Sequence, residues 1–344
     1  MNIAQAKEEI RHTVEVYLKK DENGVYRIPA IRQRPILLMG PPGIGKTQIM
    51  EQIAAECDVG LIVYTITHHT RQSAVGLPMI TEECFAGEAC SVTEYTMSEI
   101  IASIYRCIRD EGKKEGILFI DEINCVSETL TPAMLQFLQC KTFGNRAVPP
   151  GWVIVTAGNP PEYNKSVRDF DMVTLDRVRL IEVEAELDVW MKYAAERHIY
   201  GVILSYLQIR PKNFYRVETD VDGLRFVTAR GWEDLGVLMQ LYGELGIPVT
   251  EEVIGEYVRL PEVAEDFFAY YELYRKYKDD YGITEILQGE APPAVYERLM
   301  RAGFDERLSV VNLLLDALKE SFVELFATRR FTDTPQSDAA ARAL

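Results

Sequence analysis

The 344-residue sequence lacks the features that take a chain into or across a membrane. It has no apolar run long enough to cross a bilayer, and Met1–Ile10 carries acids where a signal peptide needs a basic end followed by an apolar core. Its six cysteines form no C-x-x-C pair, which is typical of reduced, intracellular chains. We therefore predict a cytoplasmic protein without membrane insertion.

Basic residues are also in short supply. The chain has 37 Lys and Arg against 53 Asp and Glu, a net charge of −16, and no basic cluster offsets this excess. Such a charge repels phosphate backbones, so we expect no direct nucleic-acid partner. Internal repeats and low-complexity tracts are absent too, and the 47% hydrophobic content is enough to form the cores of two domains.

One glycine-rich stretch stands between an apolar run, Ile36–Met39, and a segment with helical apolar spacing. It fits the pattern G-x-x-x-x-G-K-[ST] and consists of Gly40, Pro41, Pro42, Gly43, Ile44, Gly45, Lys46 and Thr47. Glycines let backbone N–H groups close around phosphate oxygens, Lys46 reaches the outer phosphates, and Thr47 can ligate Mg²⁺. We predict a phosphate-binding loop that also includes the next residue, Gln48, rather than an ordinary glycine-rich turn.

Two acids end another apolar run, at residues 116–120. Asp121 is predicted to hold Mg²⁺, directly or through water, and Glu122 to polarise the attacking water as a general base. Asn159 closes a further apolar run, at residues 152–158. The alternatives are a solvent-exposed strand end for the acids and an Asn-Pro turn for Asn159. With the phosphate loop upstream, the acids predict a nucleotide hydrolase.

In this order, the three motifs resemble those of the AAA+ ATPases and, within them, the MoxR-like group. The resemblance extends over about residues 30–245. It implies that ATP and Mg²⁺ are the cofactors and that Asn159 is the sensor residue that orients the lytic water beside Glu122. It also implies that the strand before Asn159 lies between the strands that precede Gly40 and Asp121.

The segment around Arg177 resembles the part of these ATPases that carries an arginine finger, with Val178 where the family has an aromatic residue. The resemblance implies that Arg177 reaches the γ-phosphate held by a neighbouring subunit. Arg168 and Arg179 are alternative fingers. A further alternative is a solvated Arg177 that pairs with an acid such as Asp176 or Glu182.

Two more regions are interpreted through the same resemblance. Arg230 corresponds to the second sensor, which contacts the nucleotide of its own subunit, although Thr228-Ala229 lacks the proline that the family usually has there. Ile28 and Ile31 are candidate contacts of the adenine base, with plain core packing as the alternative.

The alternation of strand and helix patterns predicts a doubly wound, mostly parallel α/β sheet of five strands. These strands are expected at 36–39, 61–67, 117–120, 153–157 and 180–183, with helices that include 93–110 and 129–140. We predict a nucleotide-binding domain of the P-loop type at 1–184, with an inserted hairpin near 76–95. An all-helical lid with a helical extension is expected at 185–330, and a disordered tail at 331–344.

The resemblance implies an Mg-ATP-dependent ATPase that assembles as a homo-oligomer, a hexameric ring, and remodels or matures a partner protein. A von Willebrand factor A domain protein is the partner that the analogy suggests. Two other interpretations stay open: a nucleotide-gated assembly scaffold with little turnover, and a nucleic-acid motor, which the charge disfavours.

Overall fold

The computed structural model describes residues 1–68, 70–143, 146–163, 167, 170–220 and 223–331. The chain divides into two compact units, Met1–Glu186 and Leu187–Leu344. The predicted tail lies outside the described residues, apart from Phe331 at the end of the last helix. No helix in the described part is long and apolar enough to cross a membrane.

The first unit alternates strands and helices. Its elements are α1 (Ile3–Leu18), β1 (Ile36–Met39), α2 (Lys46–Glu56), β2 (Gly60–Thr65), α3 (Arg71–Val75), β3 (Pro78–Phe85), β4 (Glu88–Tyr95), α4 (Glu99–Asp110), β5 (Gly116–Asp121), α5 (Thr131–Cys140), β6 (Thr142–Phe143), β7 (Arg146–Ala147), β8 (Trp152–Gly158), α6 (Met172–Leu175) and β9 (Arg179–Glu182). Short 3₁₀ helices cover Ala30–Arg32 and Ile66–His68.

The central sheet has five strands in the order β2-β5-β8-β1-β9, and every neighbouring pair is parallel. Apolar residues alternate between its two faces. Ile36 and Leu38 pack with α1 and α2, whereas Leu37 packs on the other face with α4 and α5. Helices therefore cover both faces, and the prediction of a doubly wound parallel sheet is confirmed.

The strand order fixes the position of the site. β8 lies between β1 and β5, as the resemblance implied. The direction of the chain connections reverses between β1 and β8. The connection after β1 leads to β2 at one edge of the sheet, whereas the connection after β8 leads to β9 at the opposite edge. In open parallel sheets, ligands bind at the carboxyl edge beside such a reversal. The loops after β1, β5 and β8 meet at this edge.

Two sequence-based element boundaries in the first unit are wrong. The predicted helix over 93–110 begins only at Glu99, where the Ser98 side chain caps it by accepting a hydrogen bond from the Ile101 N–H. Residues 93–95 belong instead to β4, which pairs with β3 in an antiparallel hairpin. The second predicted strand ends at Thr65, and a 3₁₀ helix follows it.

The second unit is mainly helical, as predicted. Its elements are α7 (Leu187–Glu196), α8 (Gly201–Ile209), β10 (Arg216–Asp220), β11 (Gly223–Val227), α9 (Ala229–Leu245), α10 (Glu251–Tyr257), α11 (Pro261–Tyr281), α12 (Ile283–Leu287), α13 (Pro293–Arg301) and α14 (Phe304–Phe331), with a 3₁₀ helix at Pro211–Asn213. The expectation of an all-helical region needs one correction, because β10 and β11 form an antiparallel pair. Aromatic side chains fill the core of this unit, with Trp232 and Phe267 fully buried.

Candidate active site

The phosphate-loop motif forms the turn between β1 and α2. Gly43 and Gly45 have φ angles of 73° and 92°, a region that favours glycine. A side chain at Gly40 would place its Cβ 2.8 Å from the carbonyl oxygen of Val183 on the neighbouring chain segment. These glycines therefore allow a tight loop whose backbone leads directly into the N-terminus of α2, a position that favours anions.

Lys46 is the first residue of α2 and is 8% exposed. Its ammonium group donates to the carbonyl oxygens of Gly40 and Pro41, at 2.6 and 3.0 Å, and to Oδ1 of Asn159 at 2.7 Å. A phosphate oxygen carries more negative charge than these neutral acceptors and so binds the ammonium more strongly. Lys46 is thus held in place at the loop, next to the proposed sensor residue.

Thr47 and Asp121 lie side by side. The Thr47 hydroxyl donates to Oδ2 of Asp121 at 3.3 Å, although the two residues come from α2 and the end of β5. One hydroxyl and one carboxylate fit Mg²⁺, which keeps several waters and takes few protein ligands. The described residues contain no cluster of three or more His, Cys, Asp or Glu side chains that could hold a metal ion.

Glu122 sits on a left-handed backbone, with φ at 58°. Its N–H donates to Oδ1 of Asp121 at 2.9 Å, and its Oε2 accepts a hydrogen bond of 2.7 Å from the Thr67 hydroxyl. The unusual φ turns the chain sharply after β5. Sequence reasoning missed Thr67, whose signal is its position just after β2, the neighbour of β5 in the sheet.

Asn159 follows β8 and joins two parts of the site. Its side chain binds Lys46, and its backbone is held by Asn124. The Asn124 amide nitrogen donates to the Asn159 carbonyl oxygen at 2.8 Å, and the Asn124 amide oxygen accepts from the Asn159 N–H at 3.3 Å. Sequence reasoning missed Asn124, whose signal is its position two residues after Glu122.

The three candidate finger arginines differ in their surroundings. Arg177 is exposed and forms no ion pair with Asp176 or Glu182 within the described part of the chain, whereas hydrogen bonds from Thr174 and the charge of Arg177 together lower the pKa of the Asp171 carboxyl. Arg179 donates to the Thr13 hydroxyl at 2.5 Å and to the Glu9 carboxylate, both on α1. Arg168 lies outside the described residues. Of the two described arginines, Arg177 is the one whose side chain forms no hydrogen bond or ion pair among the described residues.

The two other predicted nucleotide contacts, Gln48 and Arg230, belong to different units. Gln48 is half-buried in the first turn of α2. Arg230 is exposed in the first turn of α9 in the second unit, where Thr228 caps the helix by accepting from the Gly231 N–H at 3.2 Å. The missing proline therefore does not prevent the helix from starting there.

The segment before β1, which contains Ile28 and Ile31, is held by a lysine more than 100 residues further along the chain. Ile31 is 73% exposed, so core packing does not explain it, whereas Ile28 is half-buried. Lys141, just after α5, donates to the carbonyl oxygens of Ala30 and Gln33, and burial lowers the pKa of its ammonium to about 8. Sequence reasoning missed this contact.

A glycine-rich loop between a parallel strand and a helix, with a buried lysine and a carboxylate at the end of the next strand but one in the sheet, defines a P-loop NTPase fold. Residues 36–173 match the family model described as the ATPase family associated with various cellular activities (AAA). This match supports an AAA+ ATPase. No curated protein matches the chain. The matched segment ends before Arg177 and Arg230.

Proposed function

We propose that the protein is a MoxR-like AAA+ ATPase that hydrolyses Mg-ATP at the interfaces of a homo-oligomeric ring and uses the energy to remodel a partner protein. The observation that carries this proposal is the set of side chains at one sheet edge. Thr47 lies at Asp121, Glu122 follows directly, and Asn159 contacts Lys46.

Each of these side chains has a distinct task. Lys46 binds the outer phosphates of ATP and neutralises charge that develops on them. Thr47 and Asp121 would hold Mg²⁺, which would supply further charge neutralisation. Glu122 accepts the proton of the attacking water. Asn159 orients that water while its Oδ1 stays on Lys46.

The arginine finger comes from the neighbouring subunit. Arg177 is exposed and forms no hydrogen bond or ion pair through its side chain among the described residues, where its charge acts only at longer range on Asp171, as expected for a side chain that acts on another copy of the chain. Arg179 is occupied by α1 of its own chain. We therefore assign the finger to Arg177.

Mixing two inactive variants tests the shared site. Glu122→Gln subunits keep Arg177 but cannot activate water, and Arg177→Ala subunits keep Glu122 but offer no finger. Each alone should lose most activity, because fingers contribute about 10³–10⁵ in rate. Mixed rings recover interfaces that contain Glu122 from one subunit and Arg177 from the next, so ATP hydrolysis should return on mixing.

The matched control replaces Arg177→Ala with Arg179→Ala in the same mixture. If only the Arg179→Ala mixture regains activity, the finger is Arg179. If neither mixture regains activity in verified mixed oligomers, neither Arg177 nor Arg179 acts in trans, and Arg168 is the next residue to test in the same way. Light scattering with and without ATP gives the ring size.

The hairpin of β3 and β4 is the surface that we propose for the partner. Almost all its residues are exposed, with only Thr81 and Val92 half-buried. Its charged residues are all glutamates, which disfavours nucleic acid at this surface. A von Willebrand factor A domain protein is the partner suggested by analogy with the MoxR-like group.

A trap experiment tests the hairpin. Glu122→Gln held in ATP should retain the partner in a pull-down, and the same variant without residues 80–91 should bind ATP equally well but lose the partner. Lys46→Ala is the control for nucleotide-independent capture. Equal capture by the hairpin deletion would reject this surface.

One observation favours the scaffold alternative. The Thr67 hydroxyl donates to Oε2 of Glu122 and so restrains the orientation of the carboxylate that would accept the proton of the water. Turnover on the purified oligomer decides between the two functions. Thr67→Val should raise turnover if this contact restrains the base, whereas negligible turnover in both proteins favours a scaffold.

A further inference from the structure

The side-chain amide of Asn124 binds both the N–H and the carbonyl oxygen of Asn159. Asn124 is 3% exposed, and its two hydrogen bonds measure 2.8 and 3.3 Å. We propose that Asn124 is a positioning residue for ATP hydrolysis, which fixes Asn159 so that its side chain reaches Lys46 and the lytic water. This inference rests on the proposed ATPase function.

The need for such a residue follows from the sheet. β8 ends at Gly158, so the strand pairing that aligns the backbone stops one residue before Asn159. The Asn124 amide offers a donor and an acceptor, the same pair that a neighbouring strand would offer. Asn124 thereby holds the backbone in a defined position for one residue beyond β8, at Asn159, whose side chain contacts Lys46.

Gly158 gives a second indication that this contact is built into the site. A Cβ at this position would lie 2.6 Å from Oδ1 of Asn124 and 2.9 Å from Sδ of Met39. Only glycine therefore lets the Asn124 amide reach the backbone beyond β8. Any larger residue would push Asn124 or Met39 away.

Asn124 also links Asn159 to the general base. The Ile123 N–H, between Glu122 and Asn124, donates to the Ala157 carbonyl oxygen at 2.9 Å. Two consecutive residues after the base, Ile123 and Asn124, thus bind the end of β8 and the residue that follows it. Because Glu122 and Asn124 are two residues apart, the distance between the base and Asn159 is fixed through this attachment.

A purely structural role makes different predictions. If Asn124 only satisfies buried backbone groups, its substitution lowers stability and leaves the turnover of the folded protein unchanged. If it positions Asn159, turnover falls in the folded protein, and the loss depends on the Asn159 side chain. A double-mutant cycle separates the two roles.

Asn124→Asp is the most informative variant. It keeps the shape of the side chain, which matters because a cavity of about 110 Å³ adjoins this residue and a truncation would enlarge it. It also keeps an acceptor for the Asn159 N–H but replaces the donor to the Asn159 carbonyl with an oxygen. The matched control is Asn312→Asp in the second unit, where the amide donates to the Ser205 hydroxyl at 2.6 Å.

We expect Asn124→Asp to lower kcat by about 10–100-fold, the size typical of residues that orient a functional group through a hydrogen bond. Asn312→Asp should leave kcat unchanged. In an Asn159→Ala background, Asn124→Asp should lower kcat by less than about threefold, because its target side chain is gone. A full additional loss in that background, or an unchanged kcat in the single variant, overturns the proposal.

A measurement without turnover separates this inference from the proposed function. Hydrogen exchange at the Asn159 amide should be about tenfold or more faster in Asn124→Ala than in the wild type, since its acceptor is lost. Absence of ATP hydrolysis in the wild type rejects the ATPase function, and unchanged exchange rejects the role of Asn124.

Discussion

Buried polar groups have different partners in the two units. At the sheet edge of the first unit, Asn159 binds both Lys46 and Asn124, and Lys46 also binds the backbone of the glycine-rich loop. In the second unit, the buried Tyr206 hydroxyl donates to Asp266 and accepts from Asn213, inside an aromatic cluster.

This difference suggests that the buried polar contacts serve chemistry in the first unit and stability in the second. The polar contacts of the first unit hold charged and hydrogen-bonding groups ready for a ligand, at a cost to packing. Those of the second unit satisfy groups that burial would otherwise leave unpaired, and burial together with the Asp266 hydrogen bond raises the pKa of Tyr206 well above its usual range. Substitutions should therefore affect activity in the first unit and stability in the second.

Among the substitutions that test this comparison between the two units, Glu122→Gln should have the largest effect. Glu122→Gln removes the general base but keeps an acceptor for Thr67, so turnover should fall by about 10²–10⁴-fold while ATP binding and stability stay unchanged. Single-turnover kinetics, ATP calorimetry and urea unfolding measure the three quantities. Turnover at the wild-type rate would remove Glu122 from the mechanism.

Lys46→Ala should come next. The variant loses the cation that meets the outer phosphates, and ATP affinity should fall by about 10²–10³-fold, the range for losing one partner of a desolvated charge pair. Calorimetry measures the affinity. Lys7→Ala, which removes a surface ion pair with Glu56, is the control and should bind ATP normally. Unchanged affinity in Lys46→Ala contradicts the phosphate-loop assignment.

Trp232 tests whether buried side chains of the second unit contribute to stability. Its side chain is fully buried against Tyr206 and Phe267, and Trp232→Ala should lower the free energy of unfolding by about 3–5 kcal/mol. Urea unfolding followed by circular dichroism gives this value. Trp232→Phe keeps most of the volume and should cost less. A negligible effect of Trp232→Ala would break the comparison.

The smallest effect concerns Lys141, a half-buried polar residue of the first unit whose charge is partly desolvated in the folded chain. Burial lowers its pKa from 10.5 to about 8, so the unfolded chain binds more protons between these pH values. Stability from this group therefore rises with pH in that window. Relative to Lys141→Met, the wild type should gain about 1 kcal/mol from pH 8 to 10.5, a value reduced for solvent screening. Urea unfolding at both pH values measures the gain, and Lys7→Met is the control. No gain over Lys141→Met would reject the lowered pKa.

Local patterns predicted most of the sheet. The first strand has the predicted bounds, Ile36–Met39, because apolar runs bounded by Pro and Gly leave few other conformations. Prediction was weaker where pairing partners decide the structure. Residues 93–95 fall within both the predicted hairpin near 76–95 and the predicted helix over 93–110, and they join β4, since pairing with β3 satisfies their backbone groups. The β10–β11 hairpin was missed for the same reason.

The sequence by itself determined the phosphate loop and the acids at the end of β5, because these motifs are consecutive residues whose chemistry requires glycine, lysine or carboxylate at fixed spacing. Only the tertiary structure decided which side chains hold them. Thr67 and Glu122 are 55 residues apart, Asn124 and Asn159 are 35 apart, and Arg179 and Thr13 are 166 apart. Contacts over such separations arise from the order of strands in the sheet, which no local pattern encodes.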